Sequence, residues 1–357
     1  MPTLPDHLPI LDRADRPLAG ATYDEREITA PVDLCDSEGN LNPAAVGFSR
    51  LPLVRANLVG RWPRKKKWNF WNWIGPDFVF SVVLADIDFT SFCSFTLTDF
   101  RDGSHWTGAS YGLPGRFDLP EVVEASVAFR GGGLEYENRI DGLDLAVRFR
   151  GHASKGPLVV ADFRVLRRAG HESLNVVVPW TPRHFQCNSK HAALPCEGEV
   201  LVGERRYPLD PRNCYAVQDW GRGIWPHRSF WNWGVATGRV DGGLLGVNFG
   251  AKWTTGTGSN ENGILWNGRL HKIMEDLVWE YDAAQWKKPW RVRAPHSGAI
   301  DLVLEPFAAH TPKLDLGWIA TGGVCAFGRW RGTVRVEDRP VSVDGLVGWA
   351  EEFAHRW

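Results

Sequence analysis

The chain has 357 residues, of which 43% are hydrophobic and 23% charged, an ordinary balance for a folded protein that excludes extended disorder. With 41 basic and 42 acidic side chains the net charge is −1, so no long-range field gathers nucleic acid or anionic membranes. No run of about 18 apolar residues exists to cross a bilayer as a helix, and 19 tryptophans against 2 methionines mark a protein built with rigid aromatic surface.

The length suits two units of about 150 to 200 residues. Residues 1–11 carry Pro2, Pro5, Asp6 and Pro9 and lack the charged start and apolar run of a signal peptide. Cys35, Cys93, Cys187, Cys196, Cys214 and Cys325 are scattered without C-x-x-C spacing, and there is no N-x-S/T acceptor, which together suit a reducing cytoplasm.

In chain order, Trp62-Pro63 opens a basic stretch, Arg64-Lys65-Lys66-Lys67, followed by Trp68, Trp71 and Trp73. This reads either as a stacking and phosphate-binding face or as a solvated hairpin or pocket rim, and the near-zero net charge favours the latter. Gly108-Ala109-Ser110-Tyr111-Gly112 matches a nucleophile elbow, but Leu113-Pro114-Gly115 follows where a helix has to begin, so Ser110 is expected in a turn. Alternation at Val123, Ala125, Val127, Phe129 and again at Leu143, Leu145, Val147, Phe149 predicts half-buried strands. Gly131-Gly132-Gly133, Asp141-Gly142 and Asp241-Gly242-Gly243 suit hairpin turns.

Residues 179–195, with prolines at 179, 182 and 195, are taken as a linker between halves 1–185 and 186–357. Within and beside it, His184, Cys187, His191 and Cys196 have zinc-ligand chemistry without a familiar spacing, and no metal is expected. The pair Trp62-Pro63 and Trp71-Asn72-Trp73 is echoed by Trp225-Pro226 and Trp231-Asn232-Trp233, each copy leading into an apolar strand, which points to a duplicated unit. Ile300, Leu302, Leu304 and then Val334, Val336 add further alternating strands. Many short antiparallel strands mean a sandwich or a barrel.

Residues 215–228 concentrate an acid, Asp219, with Arg222, Arg228, His227 and glycine-framed tryptophans. In a dry aromatic wall Asp219 has its carboxyl pushed up; the competing reading is an Asp-Arg pair closing a barrel end. Downstream, residues 257–263 place Glu261 among side-chain amides in a loop, either facing the same cavity and sharing acid and base roles with Asp219, or solvated in an Asx-rich turn.

These residues resemble the family known as domain of unknown function 2804, in Asp219 to Pro226, Trp231-Asn232-Trp233 and Glu261-Asn262, with further matches in Leu34-Cys35-Asp36, Gly39, Leu41-Asn42 and Gly348-Trp349-Ala350-Glu351-Glu352. More distantly the tryptophan pattern is similar to that of tocopherol cyclases and carotenoid 1,2-hydratases. That resemblance implies an all-β fold of two lipocalin-like antiparallel β-barrel or sandwich halves packed together, and proton addition to carbon–carbon double bonds without a cofactor. One departure matters: Val217 stands where the hydratases carry an acid.

The resulting expectation is a cofactor-independent isomerase, cyclase or hydratase acting on a small hydrophobic alkene. Asp219 and Glu261 are its catalytic residues, and Tyr215, Trp220, Arg222, Trp225, Arg228, Trp231, Trp233, Asn262 and His271 bind substrate, Arg222 orienting a carboxylate. A lipid carrier with both acids ion-paired, and a carbohydrate-active enzyme with paired carboxylates in a polar groove, are the alternatives.

Overall fold

The computed structural model describes residues 21–357; residues 1–11, read above as lacking a signal peptide, lie outside them. Three short strands come first, β1 (Val32–Asp33), β2 (Gly47–Ser49) and β3 (Val54–Arg55). A meander follows, β4 (Lys65–Ile74), β5 (Phe78–Asp86), β6 (Ser91–Asp99) and β7 (His105–Gly112). Then come β8 (Val127–Gly131), β9 (Leu134–Asp141), β10 (Asp144–His152), β11 (Leu158–Val165), β12 (Leu174–Thr181), β13 (His184–Val202), β14 (Arg205–Leu209) and β15 (Tyr215–Ile224). After residues 225–227 a second series runs β16 (Arg228–Val240), β17 (Gly243–Ala251), β18 (Gly263–Trp266), β19 (Arg269–Lys272), β20 (Val278–Glu280), β21 (Trp290–Arg293), β22 (Ile300–His310), β23 (Lys313–Asp315), β24 (Ala320–Val336), β25 (Arg339–Ser342) and β26 (Val347–Arg356).

The protein is all-β, two curled antiparallel sheets of which one nearly closes into a barrel and the other forms a half-barrel. The first sheet has the order β7-β6-β5-β4-β15-β13-β11-β10-β9-β8 and the second β19-β18-β17-β16-β26-β24-β22-β21-β20. Aligning β4 with β16, β15 with β26 and β13 with β24 brings the two orders into correspondence strand by strand, β8 alone being without a counterpart. Even the side branches match, since β12 and β14 hang on β13 as β23 and β25 hang on β24. The two Trp-Asn-Trp copies sit on the equivalent strands β4 and β16, so the repeat in the sequence is a repeat of topology.

Each sheet keeps a filled core of its own. Alternation sends Phe80, Val82 and Leu84 of β5 into one, with Leu145, Val147 and Phe149 of β10. Val247, Phe249, Trp290, Leu302 and Trp330 fill the other. The opposite faces carry a third apolar layer, including Ile74, Val79, Val217, Trp233, Val235 and Trp349, where the sheets meet. Val217, at the position where the hydratases place an acid, is thus a packing residue.

Several local expectations change. Residues 179–195 are not extended linker but the hairpin of β12 and β13. Val123 and Ala125 precede β8, whose pairing begins only at Val127. Ser110 lies buried within β7 rather than in a turn, because Gly108–Ser110 stay in register with β6. The hairpin glycines behave as read: Gly142 has φ 65°, and Asp241-Gly242 has φ 43° and 76°, the left-handed pair a two-residue turn requires. All six cysteines are free. Among the described residues no helix is long and apolar enough to cross a membrane, and no group of three or more His, Cys, Asp or Glu is arranged to hold a metal.

Candidate active site

Between the two sheets, outside both filled cores, lies a cavity of about 220 Å³. From the first sheet it is walled by Trp68 and Phe70 of β4, Val83 and Ala85 of β5, Ile87, Phe92 of β6, Asn188 and Lys190 of β13 and Asp219 of β15. From the second come Trp231 and Trp233 of β16, Glu351 and His355 of β26, and Glu261 from the loop between β17 and β18, with Trp225, Trp253 and Trp357 closing the remainder.

Asp219 and Glu261 do share this cavity, and a residue absent from the sequence expectation joins them. Lys190 Nζ stands 3.0 Å from Asp219 Oδ2 and 3.0 Å from Glu261 Oε2, with its ammonium 4.3 Å from the Trp233 ring. Burial works against the Lys190 charge, but the two carboxylates outweigh it and hold the amine above the usual lysine range. Trp253 Nε1 donates to Glu261 Oε1 at 2.6 Å, and Gly250 gives that carboxylate its space, since a Cβ there would stand 2.1 Å from Oε1. Burial pushes Glu261 up in spite of Lys190. Asp219 Oδ1 finds no hydrogen-bond partner among the described residues.

Glu351 is the third carboxyl group and a second residue the sequence reading did not assign. It accepts from Trp231 Nε1 at 2.8 Å through Oε1. Burial pushes its carboxyl up to about 8, the Trp231 donor and Lys190 oppose the rise, and the charges of Asp219 and Glu261 add to it. One ammonium cannot neutralise three carboxylates in an aromatic pocket, so Glu351 keeps its proton at neutral pH. Burial also drives His355 down to about 3, leaving a neutral imidazole 4.4 Å from the Trp231 ring with Thr321 Oγ1 at 2.8 Å.

Of the expected substrate-binding residues, Trp225, Trp231 and Trp233 line the cavity. The rest stand elsewhere, Trp220 and Arg222 because β15 alternates. Asp219 faces the cavity, so Trp220 and Arg222 point to the other face, where Trp220 packs with Leu34, Phe185 and Ile224. Arg222 does not orient a ligand carboxylate. It lies 4.2 Å from the Trp220 ring and donates to the carbonyls of Trp68, Gly221 and Pro120 and to Asn69 Oδ1, with its guanidinium lowered by burial to about 9. Tyr215 packs on Ala193 and Leu244 and donates to the Arg212 carbonyl. Arg228 is exposed at the start of β16, and His271 is paired with Ile264 in β19. Asn262 is structural: its amide joins Gly250 N–H to the Glu275 carbonyl and pins the loop that carries Glu261. His184, Cys187, His191 and Cys196 are spread along β13, with Cys187 and Cys196 in different apolar clusters.

The glycines of the 219–226 stretch do not make turns, since 221 and 223 lie within β15. They make room. A Cβ on Gly221 would stand 2.2 Å from the Trp68 ring, and one on Gly223 would stand 2.1 Å from Gln186 Oε1, which accepts from Trp225 Nε1 at 2.6 Å. Gly221→Ala is therefore expected to displace Trp68 and cost about 1–3 kcal/mol. Chemical denaturation with tryptophan emission checks this; unchanged stability and emission would remove Gly221 from the shaping of the cavity.

A family model matches residues 25–357. The chain belongs to the domain of unknown function 2804 family (DUF2804). No curated relative matches the sequence. Among solved structures this DUF2804 chain is similar to kievitone hydratase from Nectria haematococca, with 12% identity over 80% of this chain and 88% of that one and a TM-score of 0.46. It is also similar to CghA with Sch210972, with 11% identity over 82% and 89% of the two chains and a TM-score of 0.49.

Two signals for the missed residues of this DUF2804 member were present in its sequence. The stretch Gln186 to His191 is polar at five of six positions, yet all six residues are buried in β13. Glu351-Glu352 interrupts the otherwise apolar start of β26. A polar run at the centre of an apolar sheet is costly unless it is paired, and paired polar groups in a cavity mark a site.

Proposed function

We propose that this protein is an enzyme that isomerises, cyclises or hydrates a small hydrophobic alkene by acid/base chemistry of its own side chains. The observation that carries the reading is Glu351, a carboxyl group raised to about 8 by burial and set among Trp231 and the other indole faces. Glu351 delivers its proton to an alkene carbon. The aromatic walls stabilise the cation that forms, as ring faces do for any nearby cation. Asp219 Oδ1, without a hydrogen-bond partner among the described residues, then accepts a proton from a neighbouring carbon, giving an isomerised or cyclised alkene. If water reaches the cation first, the product is an alcohol and Asp219 takes the proton from that water. Exchange with bulk water returns a proton to Glu351. Lys190 keeps Asp219 and Glu261 within 3.0 Å of one ammonium and so fixes the base opposite the acid.

One observation favours a second reading: Asp219 and Glu261 are both ion-paired, as a non-catalytic carrier of lipids or isoprenoids requires. The carbohydrate alternative asks for polar walls, whereas six tryptophans with Phe70, Val83, Ala85, Ile87 and Phe92 form these.

Incubation with a panel of linear isoprenoid alkenes in deuterated water separates the readings. The enzyme transfers solvent deuterium to a non-exchangeable carbon of the product. Saturable quenching of tryptophan emission by the same alkenes, with every alkene recovered unlabelled, would establish the carrier instead.

A further inference from the structure

Ile87, Phe92, His355 and Trp357 are among the residues that line the cavity, and a closed ring of contacts from both sheets passes through Trp357 and the turn that follows Ile87. Arg64 donates to the Trp357 carbonyl at 2.7 Å, and Arg356 pairs with Asp315 at 3.0 Å, which brings in the turn after β23. From that turn Trp318 reaches back to the first sheet and meets Phe89 edge-on at 5.4 Å. The turn that carries Phe89 is held to Trp62, whose Nε1 donates to the Asp88 carbonyl at 3.0 Å, and Trp62-Pro63 leads back to Arg64. Lys66 locks the ring from beneath, donating to the Ile87 and Pro63 carbonyls.

This rim breaks two habits of a soluble surface. Its apolar side chains face outward: Trp62 is 73% exposed, Trp318 63%, Leu316 61% and Leu314 44%. Its charge is one-sided, too. Arg64, Lys65, Lys313 and Arg356 outnumber Asp88 and Asp315, and both of those acids are spent on Lys65 and Arg356. A net charge of −1 over the whole chain conceals this local excess.

We infer that the rim is a docking surface for an anionic lipid bilayer, with Trp62, Leu316 and Trp318 entering the interface and the surrounding lysines and arginines meeting lipid phosphates. Indole rings settle at the membrane–water boundary, and each basic side chain near an anionic leaflet adds to the attraction. Docked in this way, the cavity opens toward the hydrocarbon in which an apolar alkene is dissolved. That purpose rests on the proposed function, but docking itself is read without turnover, so either can fail alone.

Flotation of the full chain with phosphatidylcholine vesicles, with and without phosphatidylglycerol, tests the inference. The protein is expected to float with the anionic vesicles, to be released by salt, and to stay behind with phosphatidylcholine alone. Leu316→Ser with Trp318→Ser is expected to weaken flotation at least about tenfold, and Leu316→Ser alone, which leaves the Trp318–Phe89 contact in place, to weaken it several-fold with unchanged thermal unfolding. Lys313→Glu, an exposed position, weakens it several-fold without touching the apolar contacts. No flotation on anionic vesicles, equal flotation on neutral ones, or variants that float like the parent would each overturn the inference. So would a dimer in sedimentation that the serine variant dissolves, since a second copy would then cover the rim.

Discussion

Lys190→Met is expected to destabilise the protein by about 3–5 kcal/mol, because it removes the ammonium that pairs with the buried Glu261 and the part-buried Asp219. Lys190 is only 3% exposed and Glu261 1%, so water does not replace the lost partner. Methionine keeps most of the aliphatic stem, so what is lost is the ammonium, with its two ion pairs and its contact with the Trp233 ring. Asp219 and Glu261 would then face each other across the space that Nζ occupied, and one of them has to take up a proton. Chemical denaturation near neutral pH reads the cost. Adding Glu261→Gln to the methionine variant is expected to recover part of it, since glutamine can still accept from Trp253 Nε1 while removing one of the stranded charges. A Lys190→Met loss within about 1 kcal/mol of the parent, the size of an exposed ion pair, would mean that the triad is not dry.

What the sequence reveals here divides by the physics involved. Period-2 alternation and glycine turns are local, and the strands around Leu145, Ile300 and Val334 follow from them. The Trp-Asn-Trp echo is local as well, and it marks the strands that open each topological repeat. Facing is also a two-residue property, so Asp219 in the cavity already excludes Trp220 and Arg222 from it. Partner choice across sheets is different. Lys190 comes from β13, Glu261 from a loop of the second sheet and Glu351 from β26, and nothing local ties the three together. The prolines at 179, 182 and 195 suggest a break, but they fall at the end of β12, in the turn and within the bulged part of β13, where the missing N–H groups are tolerated.

Glu351→Gln is expected to lower alkene turnover by about 10²–10⁴-fold, the usual worth of a positioned general acid, while binding persists. Glutamine fills the same space and can accept from Trp231 Nε1, so quenching of tryptophan emission by the alkene should keep its midpoint. The pH behaviour separates this role from a structural one. Burial, with Asp219 and Glu261 adding to it, raises the folded carboxyl to about 8, so the proton to be donated is present below that value and turnover falls as pH rises through it. The same shift acts on stability. Between the ordinary carboxyl range and about 8 the folded protein holds a proton that the unfolded chain has released. The stabilisation is therefore complete at low pH and declines as pH rises, by at most about 1.4 kcal/mol per pH unit for one site. Glu25, Glu261 and Asp276 are raised as well and contribute to the slope in both proteins. The difference between parent and variant thus isolates Glu351. Denaturation midpoints from about pH 5 to about pH 9 should fall more steeply for the parent than for the glutamine variant; parallel slopes would place the proton elsewhere and, with Asp219→Asn then the more damaging change to turnover, would return the acid to Asp219.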